Sequence, residues 1–180
     1  MASSTPFSRT ASRVLAAALA LLLGACHGGG AIESARIDGG PAPALDTRLR
    51  LAPPPQLLEA LDRGVPLVLR LELRAREASG TRTSTHRILL RFLPLARQYA
   101  WTDLDTGAVR YFARRPLLLA ALDRVRLPLD PSWSDLAPGA RCTLSIALDV
   151  DALPAPLRLP ALLSPRWRLD PPEFAWTAGS

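Results

Sequence analysis

The sequence predicts a mainly β domain, an antiparallel β-sandwich with two short α-helices, bordering on α+β. Apolar and polar residues alternate with period two along several stretches, turn residues separate those stretches, and only two short segments change to helical spacing. Alternation means one face on a core and the other in water, as in antiparallel sheets. About seven or eight strands are expected from the turn spacing.

Taking the elements in order, Leu45, Thr47, Leu49 and Leu51 oppose Asp46, Arg48 and Arg50. The segment PPPQLLEALDRG follows, with Leu57, Leu58 and Leu61 on one face. Prolines precede its first turn and Gly64 stands where a C-terminal cap belongs, which predicts a helix. In LVLRLELRARE, Leu67, Leu69, Leu71, Leu73 and Ala75 oppose Arg70, Glu72, Arg74 and Arg76. Ile88, Leu90 and Phe92 then face away from Arg87 and Arg91, and ASGTRTST is expected to be the loop joining these two long strands. A hairpin is expected from Arg97–Thr102 and Ala108–Ala113 across DLDTG. The second helix is RRPLLLAALDRV, where Leu118, Ala121, Leu122 and Val125 follow 3.6 periodicity behind Pro116. Helices this short need tertiary support, so each is expected to cover an open end or edge of the sheets. APGA at 137–140 is a turn before the strand RCTLSIALDV. From Leu153 onward the prolines exclude a central strand, so this segment should wrap the surface on Leu162, Trp167, Phe174 and Trp176.

The amino-terminal stretch supplies an address. Arg9 and Arg13 precede an apolar run from Val14 to Leu23, about ten residues where a membrane span needs about 20. Leu23-Gly24-Ala25-Cys26 has the form of a bacterial lipobox, which makes residues 1–25 a lipoprotein-type signal peptide and Cys26 the lipidation site. Several acyl chains on one residue hold a protein at a bilayer almost permanently, because each buried methylene adds about 0.8 kcal/mol. Residues 26–30, rich in glycine, are expected to form a flexible tether, and residues 31–176 one domain. The expected location is the periplasm, anchored to a membrane. His27 stands where an aspartate would favour inner-membrane retention in enteric bacteria, so the outer membrane is the better expectation.

Composition restricts chemistry. The formal charge is +6, and all 22 basic residues are arginine. They are interspersed with acids rather than clustered, so no nucleic-acid partner is expected. With Cys26 acylated, Cys142 has no partner for a disulfide, and its place on an apolar strand face makes it a buried, inert thiol. His86 is read as structural. Asp105-Thr106-Gly107 resembles an aspartic-protease triplet, but there is one copy where the chemistry needs two carboxylates sharing a proton. Reading Asp103 and Asp105 as a calcium loop would require a carboxylate at 114, which is Arg114. No cofactor, metal site or catalytic residue is expected. The candidate binding surface is Arg70, Arg74, Arg87 and Arg91 with Trp167 and Trp176.

EALDRGVPL (59–67), LARQYAW (95–101), AALDRVR (120–126), LDVDALPAPLRLPALLSPRW (148–167) and FAW (174–176) resemble a proteobacterial family known as domain of unknown function 4390. The resemblance implies export, and a signalling link to a sensor histidine kinase of the nitrogen-regulation type, beside which members are encoded. It supplies no catalytic residues. Where many relatives carry an aromatic-rich stretch between the two longest strands, this chain has ASGTRTST. The expected function is a lipid-anchored, non-enzymatic binding or accessory protein with an envelope protein partner. The alternative is a carrier or chaperone for an apolar ligand, held between the sheets or under the helix at 116–125.

Overall fold

Leucines at every second position of the longest apolar stretch become one wall of a core. In the computed structural model, which describes residues 29–179, β3 (Leu67–Glu77) buries each odd position from Leu67 to Ala75 and exposes Arg70, Arg74 and Arg76. Its neighbours are β4 (Gly80–Leu93) and β8 (Arg141–Leu148), both antiparallel to it. Beyond β4 come β5 (Gln98–Asp103) and β6 (Val109–Phe112), and beyond β8 comes β9 (Phe174–Thr177), giving the order β6-β5-β4-β3-β8-β9. A second sheet is made of β1 (Gly30–Asp38), β2 (Ala44–Leu51) and β7 (Arg124–Pro128), in the order β1-β2-β7.

The inner faces of the two sheets share one core. Leu45, Leu49 and Leu127 from the smaller sheet join Leu71, Leu73 and Leu144 from the larger. One end of this antiparallel sandwich is closed by α1 (Pro55–Asp62) and α2 (Arg115–Leu122), which bury Leu57, Leu61, Leu118 and Leu122. Both start with proline in the first turn, and α1 stops at Gly64, whose φ is +85°. Tyr99 donates to Asp62 at 2.7 Å, and Arg115 pairs with the same carboxylate, tying α1 to β5 and α2. The hairpin across DLDTG is present: Asp103 Oδ1 accepts from the backbone N–H of Asp105 (2.8 Å) and Thr106 (3.1 Å).

Five expectations are corrected. ASGTRTST is not a loop: Glu77 pairs with Gly80, so only Ala78 and Ser79 turn the chain, and the threonines continue β4. Thr81, Thr83 and Thr85 point outward, where β-branched polar residues suit a strand. The smaller sheet needs β1 and β7, which sequence patterning did not reveal. A register shift between Ile32 and Ser34 breaks the period of β1. Val125, assigned to the second helix, lies in β7, opposite Thr47. The carboxy-terminal segment is more than a wrap. It forms α3 (Ala155–Leu163), with Pro160 inside it, and then edge strand β9. Leu162 is no anchor there, being 61% exposed; Leu153, Ala161, Leu169 and Pro171 are the buried residues. Finally, Gly29 and Gly30, expected in the tether, are folded. Gly29 O accepts from Ala52 N at 3.0 Å, and Gly30 opens β1 opposite Leu51.

Gly30 has φ +94°, and a Cβ there would stand 1.9 Å from Arg50 O. Gly30→Ala is therefore expected to destabilise by about 1–2 kcal/mol, limited because the first residue of a strand can fray. A urea-unfolding midpoint measures it.

Candidate functional site

Strand alternation that buries leucines on one side of the larger sheet gathers arginines on the other. Its outer face carries Arg70, Arg74 and Arg76 of β3, Arg87 and Arg91 of β4, and Arg141 of β8, all exposed. The register sets Arg70 directly opposite Arg87, and Arg76 directly opposite Arg141. Like charges in directly opposed positions destabilise a sheet. The single acid among them, Glu72, is taken by Arg74, whose Nε donates to it at 2.6 Å. Among the described residues, Arg70, Arg76, Arg87, Arg91 and Arg141 hold no ion pair.

The smaller sheet neutralises more of its arginines. On its outer face Arg36 and Arg126 share Asp38 and Asp46 at 2.8–3.2 Å, and Arg50 pairs with Glu33. The Arg126 guanidinium, hydrogen-bonded to Asp38 and reinforced by Asp46, holds the Asp38 carboxyl below its usual range. A shallow charged groove of about 450 Å³ runs over this network. Arg48 and Arg124 are also directly opposed on this face and hold no ion pair among the described residues, so the smaller sheet neutralises three of its five outward arginines, whereas the larger sheet neutralises one of six.

The structure gathers four of the six expected surface residues, namely Arg70, Arg74, Arg87 and Arg91. It adds Arg76 and Arg141, which the same alternation placed outward but whose pairing needed the register. The two tryptophans separate. Trp167 is half-buried beside Ala147, the residue opposite Arg70, in a groove of about 280 Å³. Trp176 pairs with Cys142 on the core side of the sheet, 5.8 Å from the Phe174 ring, so it does not belong to the arginine face. Cys26 lies outside the described residues.

Cys142 is fully buried and its Sγ donates to Ala140 O at 3.8 Å. Burial pushes its thiol up, and the charge of Glu77 adds to this. His86 is 6% exposed. Its Nε2 lies 3.2 Å from Ser84 Oγ and its Nδ1 3.4 Å from Asp105 Oδ2, the latter without hydrogen-bond geometry. Serine, histidine and aspartate thus follow one another in the order used by hydrolases, although sequence spacing gave no sign of it. A nucleophile also needs a cleft and donors aimed at a developing oxyanion. Ser84 stands mid-strand and the principal grooves are lined by other residues. The Asp105 carboxylate also accepts from Arg87 N at 3.1 Å, so the trio ties the β5–β6 turn to β4. Among the described residues no three of His, Cys, Asp and Glu cluster to hold a metal. No described helix is long and apolar enough to cross a membrane.

No curated protein and no solved structure matches the chain. A family model described as a domain of unknown function matches residues 33–177, which takes in both sheets except the first three residues of β1, together with the three described α-helices. The chain therefore belongs to the DUF4390 family.

Proposed function

We propose that this protein is a lipid-anchored periplasmic binding or accessory protein, not an enzyme, whose arginine face takes an acidic protein partner in the envelope. The five unneutralised arginines of this face, four of them in two directly opposed pairs, carry the reading, since a sheet retains such a costly concentration where a partner relieves it. The lipobox ending at Cys26 supports acylation and export, with the outer membrane favoured over the inner. The periplasmic part of a sensor histidine kinase is the leading candidate partner, on the strength of the family resemblance. The carrier alternative draws little support. The apolar space beneath α1 and α2 is about 10 Å³, against about 300 Å³ at the lower end of ligand pockets.

Photo-crosslinking in intact cells tests the proposal, with the cross-linker at Thr85, an exposed position opposite Glu72 in the middle of this face. A discrete protein adduct is expected, and it should disappear in the Arg70→Glu/Arg87→Glu variant. Recovery of monomer alone, under conditions that capture known envelope complexes, would refute the binding role.

A further inference from the structure

Helix α3 is amphipathic the wrong way round for a helix docked on a core. Leu159, Leu162 and Leu163 are 65%, 61% and 75% exposed, whereas Ala161 is the one buried side chain. Their i, i+3, i+4 spacing puts all three leucines on one face. Leu162 also lines the groove that contains Trp167, Arg168 and Asp170. Asp170 and Pro171 in turn pack on Gly29, so closely that a Cβ there would stand 3.1 Å from their nitrogens.

Gly29 is the first described residue, three residues after Cys26. Three residues span at most about 11 Å. The exposed leucines are thus on the end of the sandwich from which the acyl anchor would emerge. Other apolar groups share that end. Leu51, Leu67 and Leu90, at the same ends of their strands, meet α1 and α2 in one seam with Leu169. Leu95 in the β4–β5 turn and Leu117 on α2 are exposed beside it, at 103% and 53%. Arg158, Arg166 and Arg168 flank the α3 leucines, and all three are exposed. Exposed leucine beside arginine is the chemistry of an interfacial membrane contact, apolar groups in the acyl boundary and cations at phosphates.

We propose that this end of the domain lies on the bilayer, with Leu159, Leu162 and Leu163 entering the leaflet that holds the acylated Cys26. The proposal rests on the lipid-anchor reading above. It fixes the domain's orientation: the membrane end is defined by the anchor, and β4 carries Thr83 toward the opposite end.

Site-directed spin labelling of the full acylated chain tests it, in vesicles of phosphatidylethanolamine and phosphatidylglycerol. Nitroxides are attached at Leu162→Cys, Leu95→Cys and Thr83→Cys, since Cys142 is buried. Collisions with oxygen, relative to a water-soluble nickel chelate, should be several-fold more frequent at 162 and 95 than at 83. A water signature at 162 in a chain that still carries its acyl groups overturns the proposal while leaving the anchor intact. Absence of acyl groups on Cys26 overturns the anchor reading, and the proposal with it. A nitroxide shielded in native membranes but wet in vesicles assigns the leucines to a protein partner and also overturns it.

Discussion

Trp133→Ala is expected to lower the free energy of unfolding by about 3–5 kcal/mol, the range for truncating a buried tryptophan. Trp133 sits in a short 3-10 turn (Pro131–Asp135) and is 2% exposed, among the largest fully buried side chains. The turn hangs on few bonds. Asp130 Oδ1 accepts from Ser132 N at 2.9 Å, an interaction that also holds the Asp130 carboxyl below its ordinary range. Without the indole the turn has little else to bury, so its loss should loosen the end of the sandwich far from α1 and α2. Chemical denaturation of the variant reads the change. A shift below about 1 kcal/mol would mean that the site collapses around the missing ring.

Arg82→Ala is expected to cost about 2–4 kcal/mol, because its cation is the counter-charge of a nearly buried carboxylate. Its guanidinium is 3.2 Å from Glu77 and 3.1 Å from Asp135, donates to the Ser132 carbonyl, and lies 5.9 Å from the Trp133 ring centre. The Glu77 side chain is 8% exposed and has one other partner, Ala137 N at 2.8 Å. Removing Arg82 would leave a nearly buried carboxylate without its cation, and that desolvation cost dominates. The Arg82 side chain itself is 26% exposed, which keeps the estimate below the upper end for buried pairs. Arg82→Lys should recover part of the loss, since an ammonium keeps the charge but not the fork that reaches Glu77, Asp135 and Ser132 together. In a double-mutant cycle with Trp133→Ala the two losses should be non-additive, the arginine and ring being in contact.

How much of this was legible in the sequence depended on whether a side chain's role was local. The strands β2, β3 and β8 announce themselves, because a half-buried strand must alternate and these do so for eight or more residues. The helices α1 and α2 were equally readable from proline and the leucine face. Where a bulge interrupts the period, as in β1, the same signal vanishes although the strand is as long as its partners. β7 is five residues long and follows directly on α2, so Val125 fitted the helical period as well as the strand it occupies. Trp133 had no periodicity to reveal it. Its burial comes from packing into the hydrophobic core, with Arg82, 51 positions earlier in the chain, lying over its ring.

The candidate site divides along the same line. Outward arginines could be read from alternation, but that Arg70 faces Arg87 and Arg76 faces Arg141 is a property of register. The separation of Trp176 from that face followed from its pairing with Cys142, which no proline count discloses. The exposed leucines of α3 reversed the expectation most clearly. Sequence patterning treats Leu162 as core by its hydrophobicity, whereas the fold leaves it in the open near the emerging amino terminus.

Metabolic labelling with palmitate tests the central claim most directly, since the proposed acylation of Cys26 would set the compartment, the orientation and the partners within reach. Label is expected in the wild-type protein and in the membrane fraction. It should be absent from the Cys26→Ser variant. Equal labelling of both, or an unlabelled protein retained inside the cell with residues 1–25 still attached, would contradict the account.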